Sequence, residues 1–211
     1  MTPQSRLRRR PLPLFGAAAL LAASLGACVS LLPVNKPAAL YTFGLAAGAA
    51  TPPSQAARGV ILEPVSFPRE AMNDGILTIE GPEVSYLANA RWSASAPVLF
   101  RQALGRAFDA TASARLLNRG EQGRAVALLE VEVVRFEADY TAPKSPPTAH
   151  VTLRVSLSRI DGTPIDTTVV DVETPAAENR VGAIVAAYDS TADKALNNLA
   201  HWVDDKVKAI G

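Results

Sequence analysis

Three sets of side chains have the types that do chemistry. Ser158, His150 and Asp161 are the components of a nucleophilic triad, in which a histidine takes the serine proton and an acid orients the histidine. Nothing in the spacing brings His150 to a serine, and no G-x-S-x-G elbow presents Ser158. His150 is therefore expected as an exposed histidine at a loop edge. Glu130 and Glu132 fall on one face of a strand pattern and have the residue type of paired acid–base carboxylates. On a half-exposed strand they predict a solvated face instead. His201 sits beside Trp202 in a helical stretch and reads as a packed or exposed helix residue. Gly44 and Gly48 come with no lysine and no Walker pattern, so no phosphate cradle is expected. Two histidines far apart and a single cysteine argue against a metal centre and against an intramolecular disulfide. The expectation is no catalytic residue, no metal and no cofactor.

The cysteine has a more specific setting. Arg6, Arg8, Arg9 and Arg10 form a basic stretch, and Leu12 to Leu25 follow without a charge. A run of that length is too short for a bilayer, which takes about 20 residues, and fits the core of a signal peptide. It ends in Leu25-Gly26-Ala27-Cys28, which resembles the lipobox of bacterial lipoproteins. The resemblance implies a signal over residues 1–27 and a Cys28 thiol that receives diacylglycerol. Gly26 stands where alanine or serine is commoner, and the twin-arginine motif is incomplete. An ordinary secretory signal with a chance buried cysteine is the alternative. Cleavage before Cys28 would remove four arginines and no acid, so a chain of formal charge +1 becomes −3. Such a body is held at a membrane by its acyl chains, each buried CH₂ contributing about 0.8 kcal/mol. In Gram-negative lipoproteins an aspartate after the cysteine usually retains the protein in the inner membrane, so with Val29 there the resemblance implies the outer membrane.

The elements that must carry these residues follow from composition and periodicity. A chain of 211 residues, 48% hydrophobic and 19% charged, has the material for one ordinary domain or two small ones. It is too apolar to be disordered and lacks the basic excess of a nucleic-acid binder. Residues 28–58 read as an Ala/Pro-rich tether, with Leu40 to Phe43 as a first strand inside it. A single domain is expected over 59–211. Val60 to Phe67 reads as a strand interrupted by Pro64, which points to an edge or a bulge. Residues 68–94 read as irregular, with a short strand at 76–79. Ser95 as cap and Pro97 in the first turn start a helix over 97–111.

From Ala125 to Tyr140 the pattern is one long strand. Leu129, Val131 and Val133 form its first apolar set, and Val134, Phe136 and Ala138 the second, so a bulge is expected near 133–134. A proline-containing loop at 141–148 is expected to be exposed. Val151 to Leu157 alternate strictly with polar residues. Asp161-Gly162 marks a hairpin, and Ile165 to Val172 pairs back. An apolar stripe from Val181 to Val207 predicts a long helix, bent near Asp189-Ser190-Thr191. The fold class is α/β: a mixed, mostly antiparallel sheet with a central helix and a long C-terminal helix. Two helices cover only part of such a sheet, so one face is left wet or meets a partner. No internal repeat is present.

Arg91 and Trp92 precede the first helix. One reading makes Trp92 a core anchor with Arg91 bonded to loop carbonyls. The other makes the pair a partner surface, since tryptophan and arginine are favoured interface anchors. Taken in order, Cys28, Leu32-Pro33, Tyr41-Thr42-Phe43, Val60 to Pro68, Ala90-Arg91-Trp92, Arg135-Phe136, Asp161-Gly162 and the Ala/Leu-rich terminal helix resemble the ABC-type transport auxiliary lipoproteins, the PqiC-like family. The resemblance covers about residues 28–210. It implies a domain similar to the N-terminal domain of TolB, without catalytic residues. It also implies an outer-membrane lipoprotein facing the periplasm, working with an MCE-type periplasmic protein, an inner-membrane permease and an ATPase in lipid transport. The chain itself has no ATP-binding motif. Two roles stay open: docking of the conduit, and carriage of lipid in a cavity of its own. A homo-oligomer is compatible with either.

Overall fold

β6 (Arg124–Tyr140) is the strand on which the sheet is organised. Its alternation buries Leu129, Val131 and Val133, then shifts phase to bury Phe136 and Ala138. Its register against β7 (Thr148–Arg159) slips between Val133 and Arg135. The bulge thus lies where the change of phase places it. Val134 is the extra residue, 38% exposed, and not a member of the second apolar set. β7 continues the alternation, with Val151, Leu153, Val155 and Leu157 buried. The chain returns through Asp161-Gly162 into β8 (Pro164–Pro175). Gly162 takes φ +87°, and the Arg159 N–H closes the turn on the Thr163 carbonyl at 2.8 Å.

The other side of β6 receives short strands end to end. β2 (Arg58–Leu62) runs parallel to its first half, and β3 (Gly75–Glu80) parallel to its last three residues. β5 (Arg115–Asn118) extends the sheet beyond β2. β4 (Glu83–Trp92) pairs antiparallel with β3, and β1 (Ala39–Tyr41) parallel with β4. The described residues, 37–45 and 57–210 of this computed structural model, therefore form one mixed sheet of eight strands. Its long ladders are antiparallel and local; its short ones are parallel and join distant segments. The expectations for Leu25, Gly26, Ala27, Cys28 and Gly48 lie outside the described residues.

α1 (Ala96–Thr111) and α2 (Val181–Ala209) pack together over one face of this sheet. α1 buries Leu99, Phe100, Ala103, Leu104, Ala107 and Phe108, the face its periodicity predicts. α2 runs as one helix through Asp189-Ser190-Thr191, and Thr191 satisfies its buried hydroxyl on the Ala187 carbonyl at 2.7 Å. At the centre the rings of Phe43, Trp92, Phe136 and Tyr188 meet at centroid distances of 5.1–6.4 Å. Edge-on and tilted contacts of this kind are the favoured ring geometries. The Tyr188 hydroxyl donates to the Leu77 carbonyl at 2.5 Å, fixing α2 to β3, and burial pushes its pKa well up.

Several expectations are corrected. Residues 68–94 are not irregular: beyond a short 3₁₀ turn at Arg69–Ala71 they form the β3–β4 hairpin. β4 is mostly exposed, and its alternation breaks where Asn89 takes φ +56°, so no long apolar row announces it. β2 is not an edge strand; it lies between β5 and β6 and ends before Pro64. The other alternative, a bulge at Pro64, holds: Glu63 and Ser66, three residues apart, donate to the Leu129 and Val131 carbonyls, two apart, so the stretch through Pro64 carries one extra residue. β5 has no counterpart in the sequence pattern. Ser95 holds the N-cap position of α1 without a side-chain cap bond. In the 141–148 loop, Pro147 is buried.

Candidate docking surface

Both helices lie on one face, and among the described residues no element packs on the opposite face of β6, β7 and β8. Register assigns its residues. Val151, Leu153 and Val155 face the helices opposite Val172, Val170 and Thr168. The alternate positions, His150, Thr152, Arg154 and Ser156, therefore face outward opposite Glu173, Asp171, Val169 and Thr167. β6 adds Glu130, Glu132, Arg135, Glu137 and Asp139 to the same face. Carboxylates outnumber guanidinium groups there, so the face is acidic.

Its charges are partly matched. Arg154 pairs with Glu132 across the strands. Arg135 reaches Glu137 at 2.5 Å and Asp139 at 3.6 Å, and lies 3.3 Å from His150 Nδ1. Glu137 is the buried member, its side chain 8% exposed, and it also accepts the Phe136 N–H at 2.9 Å. A buried carboxylate needs such donors. Glu173 stands 3.5 Å from His150. Beside this set, Glu63, Leu128, Glu130, Ser156, Ser158 and Thr167 line a groove of about 300 Å³.

The structure separates the residues that could have formed a triad. His150 is not an exposed loop-edge residue: it stands inside β7 with its side chain 13% exposed, and Ser158 lies on the same face eight residues on, about 26 Å at strand rise. Asp161 is in the following turn, where it accepts the Thr163 N–H at 2.9 Å, and that bond holds its pKa down. Glu130 and Glu132 point outward from β6. His201 is exposed on α2, and Lys206 lies 6.0 Å above the Trp202 ring. Among the described residues there is no cluster of His, Cys, Asp and Glu that could hold a metal.

Arg91 and Trp92 part company by strand alternation. Trp92 is 2% exposed within the aromatic cluster, and its N–H donates to the Asp74 carbonyl at 2.7 Å. Arg91 faces outward and pairs with the Asp74 carboxylate at 2.9 Å, not with loop carbonyls.

Two polar anchors escaped the sequence. Gly44, directly after the buried Phe43, donates its N–H to Asp189 Oδ1 at 2.6 Å, while its carbonyl accepts Arg106 Nε at 2.7 Å. It has φ +69°, and a Cβ there would lie 2.3 Å from that of Ala103. The second is Asp204, 4% exposed inside the apolar stripe of α2. It accepts bonds from Ser113 N, Ser113 Oγ and Ala114 N at 2.8–3.0 Å and pairs with Lys208 at 2.6 Å. Burial raises its pKa, but the bonds from Lys208, Ser113 and Ala114 outweigh burial and hold it below the ordinary value. An acid four residues before a lysine was the available signal, and solvent-facing helices show the same spacing.

Residues 41–200 match a family model described as the ABC-type transport auxiliary lipoprotein component. A crystal structure of a Xanthomonas campestris protein of the DUF330 family superposes with a TM-score of 0.69 at 20% identity, covering 82% of this chain and 98% of that one. A second crystal structure, of an uncharacterized protein, gives 0.63 at 14% identity over 80% of this chain and 99% of that one. A hypothetical protein of Chlamydia trachomatis gives 0.51 at 12% identity, covering 73% and 99%. At such identities the likeness is one of fold. Among curated proteins none matches.

Proposed function

The chain belongs to the ABC-type transport auxiliary lipoprotein family, and on that premise we propose that it is a non-catalytic docking component, anchored through Cys28 in the outer membrane and facing the periplasm. Its partners in this reading are an MCE-type periplasmic protein with an inner-membrane permease and ATPase, and the cargo is lipid. Family membership is the observation that carries the reading. Two features of the domain support it. The interior is filled by side chains, with Trp92, Tyr188, Phe43, Phe100, Phe108 and Phe136 fully buried, and the groove described above opens to solvent. Among the described residues nothing packs on the sheet face away from the helices, which is where a partner would sit.

The anchor sets the reach. Nine residues, Val29 to Pro37, separate Cys28 from the domain at Ala38. An extended chain of that length spans at most about 35 Å.

Purification of the full chain from cross-linked envelopes tests the reading. An MCE-type protein and a permease are expected to copurify. Recovery of outer-membrane assembly factors alone would overturn the transport role, and stoichiometric phospholipid in the purified protein would favour a carrier. For the anchor, wild type labelled with alkyne palmitate is compared with Cys28→Ala. The variant is expected to take up no label and to leave the membrane fraction; retained label would exclude Cys28 as the acylation site.

A further inference from the structure

β8 has the properties of a strand that accepts another strand. Among the described residues its outer side pairs with nothing, and its ladder to β7 is regular from Asp166 to Pro175. Edge strands are usually blunted by short length, lysine, an internal proline or a bulge. β8 is 12 residues long, has prolines only at its two ends and its bulge, at Ile165, only near its start, and its charged residues are acids rather than lysine. A segment laid against it would gain a row of main-chain hydrogen bonds, and its side chains would set the specificity.

The two rows of β8 side chains define that specificity. On the open face are Thr167, Val169, Asp171 and Glu173, with Val169 62% exposed at the middle of the strand. Among the described residues Asp171 accepts one bond, from the neutral Thr152 hydroxyl at 2.7 Å, and Glu173 faces His150. The guanidinium groups nearby are already engaged by Glu132 and Glu137. On the helix side are Val170 and Val172, with the half-buried Trp202 of α2 near the start of the strand, where Lys206 joins its ring to Asp166.

Resting on the docking role above, we infer that β8 binds an extended segment of a partner protein in which lysine or arginine alternates with apolar residues. Its cations meet Asp171 and Glu173; its apolar side chains extend the layer of Val170, Val172 and Trp202. A second copy of this chain offers no cation to Asp171 and Glu173, because the open-face row of its β8 is Thr167, Val169, Asp171 and Glu173 again.

The test uses the full chain in dodecyl maltoside, a neutral detergent, with two synthetic peptides. One alternates lysine with valine, the other glutamate with valine. Amide hydrogen exchange locates the bound peptide. The lysine peptide is expected to bind at least about ten-fold more tightly and to protect the amides of β8. Asp171→Lys with Glu173→Lys, both on the open face, is expected to reverse the preference. Equal binding of the two peptides, protection outside β8, or protection of β8 that grows with protein concentration without peptide would each overturn the inference. In cells, a photo-reactive residue at Val169 is compared with one at the exposed Val98 on α1. Capture of transport components from Val98 but never from Val169 overturns the edge site and leaves the docking role. Capture from neither overturns the docking role itself.

Discussion

Of the three outer strands, β1, β5 and β8, the first and the last are opposites. β1 is three residues long, pairs parallel with β4, and leads directly into polar anchors: Gly44 is held by Asp189 and Arg106, and Phe43 enters the aromatic cluster. β8 is four times as long and, among the described residues, pairs with β7 alone. The ion pair from Lys206 to Asp166 ties it to α2 across solvent. One helix supplies both ties: Asp189 near its start locks the β1 side, and Lys206 near its end touches the β8 side. The lesson is that length alone does not secure an edge. The short strand is fastened by buried rings and donors of fixed direction, whereas the long one keeps a free row of main-chain groups.

The largest effect is expected at the β1 side. Trp92→Ala empties the space between Phe43, Phe136 and Tyr188 and should cost about 3–5 kcal/mol, much of a domain's total of about 5–15 kcal/mol. Thermal melting reads it. A variant that melts like wild type but no longer holds a partner would move Trp92 from anchor to contact.

Gly44→Ala comes next. The added Cβ must enter Ala103 and hold φ +69°, for about 2–4 kcal/mol. Urea unfolding should show it as a lower midpoint, and an unchanged midpoint would mean that the β1 anchor is loose.

Asp204→Ala strands the N–H groups of Ser113 and Ala114, which costs about 1–3 kcal/mol. Here the pH dependence has a definite sign. The folded pKa is lowered, so the contribution is complete above the ordinary aspartate value of about 4. It is lost as pH falls through the folded value. Unfolding free energies at pH 7 and pH 3 should therefore differ less in the variant than in wild type.

The smallest effect belongs to the β8 side. Lys206→Ala removes an exposed ion pair, and the melting temperature should barely move. If it fell as far as in Gly44→Ala, the two edges would not differ in the way described.

Legibility in the sequence followed locality. The long strand, its bulge, the Asp161-Gly162 hairpin and both helices were readable because apolar side chains repeat at period two or 3.6 over many residues. The β3–β4 hairpin was hidden. Val84 and Tyr86 are exposed on β4, and its inward row resumes only after Asn89, at Ala90 and Trp92. β5, four residues long, carries too little pattern to register at all. Asp204 escaped because an acid inside an apolar stripe takes its meaning from Ser113 and Ala114, some ninety residues away.

The sequence by itself determined the elements with long repeats, the expectation of an acylated Cys28, and a shortage of helices to cover the sheet. Each of these is set by neighbours within a few turns or a few residues. Only the tertiary structure decided that β2 and β3 share one side of β6, that β1 joins β4, and that β8 is left open. Parallel pairing joins segments far apart in the chain and leaves no local mark, because its ladder is completed by a partner the local sequence does not contain. Trp92 became core and Arg91 surface for the same reason: the pairing of β4 with β1 and β3 fixed which of two adjacent side chains faced the helices.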